Sequence, residues 1–197
     1  AADVLLDGGL IAGPTQSFYA FMALADKPKA LERLAKLKAG RAIEQPFLLL
    51  IDSIPRAACY ALETSEAAKL LMNRFWPGLL TLLFTGHSGL HPLLMGKANT
   101  VGLRVEGLGL VRRLIRMVDR GLTGTSANGH KSAPPTTADE VLANFDERID
   151  LIIDSGPTSG RASSTIVDVS SAEPWIFRKG AIPCEDLATV CPNLKYS

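Results

Sequence analysis

The chain has 197 residues, 47% hydrophobic and 21% charged, with 21 Lys plus Arg against 20 Asp plus Glu. That is enough apolar material for one well-buried domain, and the near-average charge content argues against a disordered chain. A formal net charge of +1 supplies no bulk attraction to nucleic acid, so RNA binding has to use a local basic patch. No apolar run approaches the roughly 20 residues that cross a bilayer, and the first residues lack the basic segment and long apolar core of a secretory signal. A cytoplasmic protein without a membrane partner is expected. Cys59, Cys184 and Cys191 are odd in number and scattered, without CxxC or Cys/His ligand spacing, which indicates neither a disulfide framework nor a zinc site.

Apolar strand-like runs alternate with helix-like stretches, without an internal repeat or a low-complexity linker, and this points to an α/β fold. A helix tail at Val4 to Leu6 breaks at Gly8-Gly9. Leu10-Ile11-Ala12 reads as a short buried strand, and Gly13-Pro14-Thr15 puts Thr15 at its end. A helix is predicted from Pro28 to Lys38, with Pro28 in its first turn, Leu31, Leu34 and Leu37 on one side and Gly40 placed to end it. Its C-terminal end carries Lys36, Lys38 and then Arg41, charges that complement the helix dipole from solvent or meet an anion.

Pro46 to Ile51 is predicted as a buried strand and Ser65 to Phe75 as a helix stopped by Trp76-Pro77-Gly78. Leu79 to Phe84 is another strand. The loop Thr85 to Asn99 contains Gly96-Lys97 but lacks the upstream glycine and the following Ser or Thr of a P-loop. Thr100 to Val105 is a strand carrying Arg104, the one charge in an apolar run, which a structural carboxylate or a bound anion satisfies equally well. Leu108 to Val118 is an amphipathic helix with Arg112, Arg113 and Arg116 on or near its polar side.

Thr123-Gly124-Thr125-Ser126-Ala127-Asn128 gathers hydroxyls and an amide where a strand ends. Ligands of open α/β sheets sit at such ends, and Ser, Thr and Asn donate to phosphate or carboxylate oxygens without adding fixed charge. The competing reading is a turn that caps the next helix. Thr137-Ala138-Asp139-Glu140 fits a capping box, which moves the cap downstream and frees Ser126 and Asn128 for ligand. A helix from Ala138 to Phe145, a strand from Asp150 to Ile153, a turn at Asp154 to Thr158 and strands at Ser163 to Val169 and Trp175 to Gly180 follow. The tail beyond Ala181 is short.

The pieces GGLIAGPTQSFYA, FWPGLLTLLF, VGLRV, TSAN followed by PTTADEV, IDSGPT, SSTIVDV and FRKGAI, in this order, resemble the YrdC family, the threonylcarbamoyl-AMP synthases of tRNA modification. The resemblance runs from Gly8 to about Ile182, within a single YrdC-like domain expected over 1–197. It implies an α/β fold with a twisted open mixed sheet and a concave, positively lined groove. It also implies a nucleotidyltransferase that joins L-threonine, bicarbonate and ATP into L-threonylcarbamoyl-AMP and releases pyrophosphate, after which a partner complex transfers the threonylcarbamoyl group to tRNA. A carbamate formed from threonine and bicarbonate must attack the α-phosphorus of ATP, so such a site holds two anions together and neutralises the charge on the phosphates.

By this resemblance Lys38, Arg41, Ser126 and Asn128 surround the nucleotide phosphates, and Lys38, Arg41 and Thr15 form the catalytic set. Arginine offers a planar fork to phosphate oxygens and lysine a movable point charge. Thr15 and Ser17 occupy the family's PT(D/E)(T/S) segment on the amino-acid side, Arg104 resembles the arginine of its VxxRxP pattern, and Ser163, Ser164 and Thr165 resemble its SSTI hydroxyls. No carboxylate cluster marks a protein-built metal cage, so Mg²⁺ is expected to arrive on ATP.

The chain also departs from the family's pattern. Gln16 stands where an acidic residue is usual and Ala20 where glycine is usual, which restricts the backbone. The Lys38-to-Arg41 spacing is one residue longer than KxR, Gln45 replaces the lysine before Pro46, and Gly129-His130-Lys131-Ser132 replaces an apolar-Ser-Gly run. One inserted residue at a helix end turns a side chain by about 100°, so either Gly40 absorbs it or Lys38 leaves the groove. A second function therefore stands beside the synthase: a paralogue that binds tRNA, double-stranded RNA or nucleotide without making the adenylate, using a cluster such as Arg112, Arg113 and Arg116.

Overall fold

The computed structural model describes residues 1–38, 45–129 and 132–196. In chain order the elements are α1 (Ala2–Leu6), β1 (Ile11–Pro14), β2 (Tyr19–Met22), α2 (Pro28–Leu37), β3 (Leu49–Ile51), α3 (Glu66–Phe75), β4 (Leu80–Thr85), β5 (Thr100–Val105), α4 (Gly109–Val118), β6 (Leu122–Thr123), β7 (Thr125–Ser126), α5 (Ala138–Phe145), β8 (Leu151–Ile152), β9 (Thr165–Asp168), β10 (Trp175–Arg178) and α6 (Cys184–Val190). Short 3₁₀ turns at Pro55–Cys59, Pro92–Leu94 and Lys97–Asn99 fill the connections. Among the described residues no helix is long and apolar enough to cross a membrane.

The α/β class and the mixed pairing are those expected. The residue pattern does not reveal that the strands divide into two sheets, β7-β2-β1-β8 and β10-β9-β4-β5-β3-β6. The chain steps from one to the other at Gly124, between β6 in the larger sheet and β7 in the smaller. A Cβ at this position would lie 2.7 Å from Leu50 Cγ, so only glycine lets the backbone press against Leu50 while it changes sheets. Its N–H donates to the Leu48 carbonyl at 3.0 Å, which ties the seam to the larger sheet.

Strand alternation sorts the larger sheet into two faces. Leu49 and Ile51 of β3, Leu80, Leu82 and Phe84 of β4, Val101, Leu103 and Val105 of β5 and Val167 of β9 enter one core with Leu31 and Leu34 of α2, Leu71 of α3 and Leu187 of α6. The intervening positions, among them Thr81, Gly102, Arg104 and Ile166, belong to the opposite face. A second core joins Ile11, Met22, Leu50 and Leu122 to Val111, Leu114, Ile115 and Val118 of α4. Those four positions repeat at helical spacing, and each buried aliphatic side chain contributes about 1.5–3 kcal/mol. This stripe fixes α4, and with it the loop that leaves β5, against the seam between the sheets.

Two elements were not anticipated. β2 pairs antiparallel with β1, Ile11 opposite Met22 and Pro14 opposite Tyr19, and its connection lacks the usual Asn-Gly or Asp-Gly turn signal. Thr15 closes the turn instead, its N–H and its hydroxyl both donating to the Phe18 carbonyl at 3.0 and 2.7 Å. α6 occupies the short tail beyond Ala181. Its seven residues are too few to show a period, yet Cys184 and Leu187 are buried in the main core and Glu185 and Asp186 sit in the first turn, where the helix dipole favours negative charge.

Candidate active site

β5 delivers Arg104 to the face opposite the main core, and Glu106 follows two residues later on the same side. Both are out of solvent, Arg104 5% exposed and Glu106 0%. Arg104 Nη2 donates to Glu106 Oε2, while Arg104 Nε is buried without a partner. Of the two options left open for this arginine, the structural carboxylate is present at Nη2, and Nε carries no partner. The second oxygen of Glu106 accepts the Gln16 N–H at 2.9 Å and the Leu108 N–H at 3.2 Å.

Arg178 joins this arginine, and the sequence reading did not single it out. Strict alternation along Trp175, Ile176, Phe177 and Arg178 would send Arg178 to the core side with Ile176. The register instead shifts: Trp175 pairs with Asp168 and Ile176 with Val167, but Arg178 pairs with Ile166. This β-bulge adds one residue and re-aims the arginine to the face that carries Arg104. Arg178 Nη2 then donates to the Ser164 carbonyl at 2.8 Å, and Ser164 Oγ lies 2.9 Å from Thr81 Oγ1. Partial burial first, and the Arg104 guanidinium second, push the Arg178 pKa below its ordinary value. Two like charges at one cavity favour an anion between them. The signal in the sequence was FRKG: a Cβ at Gly180 would lie 2.5 Å from backbone atoms of Ser163 and Ser164, so the glycine lets this strand end close on the SST segment.

Thr15, Ser17, Arg104, Ser126, Ser163, Ser164 and Arg178 all line one polar cavity of about 150 Å³ at the seam. Thr165 does not. Its hydroxyl donates to the Ile182 carbonyl at 2.8 Å and accepts the Ile182 N–H at 2.9 Å, and it is fully buried, so it holds the chain rather than facing the cavity. Thr15 faces the cavity but spends its proton on the Phe18 carbonyl.

Ser126 also connects this cavity to a second cluster. Lys38 Nζ donates to the Ser126 carbonyl at 2.9 Å, the Asn128 carbonyl at 2.7 Å and Asn128 Oδ1 at 3.1 Å. Ser126 Oγ donates to the same Oδ1 at 2.6 Å, and Asn128 Nδ2 donates to the Ser132 carbonyl at 2.5 Å. Two donors on Oδ1 and one acceptor at Nδ2 give the amide a single consistent orientation. Lys38 therefore reaches Ser126 and Asn128 despite the longer spacing to Arg41. Arg41 itself lies outside the described residues, as do Gly40 and Lys131. A further cavity of about 500 Å³ opens beside Asn128 and Gly129 toward Asn144 and Arg148.

The predicted capping box is present. Thr137 Oγ1 accepts the Glu140 N–H at 3.3 Å, and Glu140 Oε2 accepts the N–H groups of Thr136 and Thr137 at 2.6 and 3.3 Å. The Thr136 N–H chiefly, with that of Thr137, holds the Glu140 carboxyl below the usual carboxylate range. The helix cap is thus separate from Ser126 and Asn128. Of the α4 arginines, Arg116 is drawn to Asp52 at 3.4 Å and Arg112 has its Nε buried. The cysteines are unpaired, Cys59 exposed and Cys184 and Cys191 buried. Among the described residues no group of three or more His, Cys, Asp or Glu could hold a metal ion.

The sequence and the fold have counterparts in known proteins. A curated threonylcarbamoyl-AMP synthase of Pyrococcus abyssi is 31% identical over 195 residues, and one of Bacillus subtilis is 32% identical over 191 residues. The alignments cover 99% and 96% of this chain, which spans only 57% and 55% of those relatives. The crystal structure of P. abyssi Sua5 complexed with L-threonine superposes with a TM-score of 0.91 at 31% identity, covering 98% of this chain and 57% of that one. The family model Sua5_yciO_yrdC, described as telomere recombination, matches residues 3–180. With a match over most of its length, the chain belongs to the Sua5/YciO/YrdC family.

Proposed function

We propose that the chain makes L-threonylcarbamoyl-AMP and pyrophosphate from L-threonine, bicarbonate and ATP, with Mg²⁺ arriving on the nucleotide, to supply a complex that modifies tRNA. The observation that carries this reading is the cavity at the seam, where Arg104, with its unpaired Nε, and Arg178 converge a few residues from Ser126. Two guanidiniums against one carboxylate leave net positive charge, and an anion between them relieves their mutual repulsion. The amino acid's carboxylate, or the carbamate made from its amine, fits that demand. The threonine bound by the P. abyssi relative supports the same class of ligand.

The reaction has two balanced stages. The threonine amine attacks the carbon of bicarbonate and water leaves, giving an N-carboxylate; one of its oxygens then attacks the α-phosphorus of ATP and pyrophosphate leaves. In this reading Arg104 and Arg178 fix the anionic end of the amino acid, Thr15, Ser17, Ser163 and Ser164 line its pocket, and Ser126 and Asn128 turn donors toward the phosphates. Lys38 and Arg41 neutralise the charge that grows on the leaving group. Holding both anions in one place converts an encounter of three reactants into an attack within one complex.

The test is the formation of an AMP-linked product and pyrophosphate, with threonine and bicarbonate left out in turn. The account predicts product only when all three substrates are present. Pyrophosphate release that ignores threonine, or ATP binding without adenylate, contradicts it.

A further inference from the structure

Glu106 is fully buried, yet it touches three separate parts of the molecule. One oxygen holds Arg104 Nη2, and the other accepts the Gln16 N–H at 2.9 Å and the Leu108 N–H at 3.2 Å. The Gln16 N–H belongs to the hairpin turn that presents Thr15 and Ser17 to the cavity, and Leu108 is the residue from which α4 begins. A buried carboxylate with this set of partners is costly to desolvate, so its retention calls for a use beyond filling space.

The carboxylate stands 90 residues from the turn in sequence and yet accepts the turn's own backbone N–H.

We infer that Glu106 is a positioning residue for the amino-acid half of the site: it holds Arg104 at the cavity through Nη2, and it locks the Thr15–Ser17 turn at a fixed distance from that guanidinium. This rests on the synthase reading above. Holding Nη2 leaves Arg104 Nε without a partner, and the two guanidiniums of the cavity are reduced to the net charge that a single carboxylate or carbamate balances. Through Leu108 the same carboxylate anchors α4 by its N-terminus, where negative charge is favoured.

The experiment is steady-state kinetics, with threonine and ATP varied separately, on Glu106→Gln, Glu106→Asp and Leu108→Pro. Glutamine is isosteric but turns a donor or a weaker acceptor toward Arg104. Aspartate keeps the charge but is too short to reach Arg104 and the turn together. Leu108 has a φ of −75°, which proline accepts, so Leu108→Pro removes the N–H tie to α4, together with the leucine's packing on the second core, and leaves the Arg104 and turn contacts of Glu106 in place. The threonine KM is expected to rise at least tenfold in Glu106→Gln and at least threefold in Glu106→Asp, with the ATP KM within twofold of wild type. Leu108→Pro is expected to lower the melting temperature and leave both KM values in place. Added guanidinium is expected to restore threonine turnover in Arg104→Ala, and to fail once Glu106→Gln is combined with it. A threonine KM within twofold of wild type in both Glu106 variants, or threonine and ATP KM values that rise together, overturns the inference. Wild-type protein without threonine-dependent turnover contradicts the underlying synthase reading, and the inference falls with it.

Discussion

The two halves of the candidate site are built on opposite plans. Around Lys38, Ser126 and Asn128 the donors and acceptors satisfy one another, with Lys38 Nζ on three oxygens of the loop and Ser126 Oγ on Asn128 Oδ1. Around Arg104 and Arg178 the cations face each other across a cavity, and Arg104 Nε has no partner. A self-satisfied cluster must exchange its internal hydrogen bonds for phosphate oxygens, so its net gain on binding is modest. A frustrated pair gains the full relief of an unpaired buried group. Under the proposed function the amino-acid half is therefore the more demanding part and the nucleotide half the more adaptable one.

Variants that break this contrast should do so in order of burial. Arg104→Ala strands Glu106 without its counter-charge, and is expected to cost about 3–5 kcal/mol of stability, read from urea melts, and about 100-fold in threonine-dependent kcat/KM. Removing both charges with Arg104→Met/Glu106→Leu should recover only part of that stability, because the Gln16 and Leu108 N–H groups lose their acceptor, and none of the activity. Arg178→Ala, at a partly exposed position with a single strong contact to the Ser164 carbonyl, should reduce kcat/KM for threonine about tenfold, about 1.4 kcal/mol, while the melt shifts little. Lys38→Met should weaken ATP binding by a similar factor and leave the threonine KM within about twofold, because the loop it holds lies on the nucleotide side. Thr137→Ala is expected to cost about 1 kcal/mol of stability and move neither KM, which separates the helix cap from the site.

The smallest effect is one of pH, far from the cavity. The Arg33 guanidinium chiefly, with the Leu10 N–H, holds the Asp150 carboxyl below the usual carboxylate range. A depressed folded pKa means that the stabilisation is present above the unfolded value and is lost as pH falls through the folded one. Arg33→Met should therefore lower stability near neutral pH by about 0.5 kcal/mol, with the difference from wild type shrinking as the pH is taken below 4. Melts recorded across that range provide the check.

The sequence showed its regular parts well. α2 and α4 carry apolar stripes at helical spacing, α5 announces its start by Thr137 and Glu140, and β5 stands out as an apolar run with one charge. What it hid were features that depend on register or on distant partners. β2 escaped because its turn is closed by a threonine side chain, and α6 because seven residues cannot display a period. Arg178 escaped because one extra residue in β10 reverses the face that alternation assigns to it. Glu106 was within reach: an arginine and a glutamate two apart on a strand share a face, and that spacing alone pairs them. Thr165 matched a motif by type, but at the fully buried start of β9 it gives its hydroxyl to Ile182.

The most direct measurement is a calorimetric titration of L-threonine, and separately of a non-hydrolysable ATP analogue, into wild type, Arg104→Lys and Lys38→Met. The account predicts a crossed pattern, with threonine affinity falling at least tenfold only in Arg104→Lys and nucleotide affinity falling about tenfold only in Lys38→Met. Equal losses of both ligands in both variants would contradict a site divided into two halves.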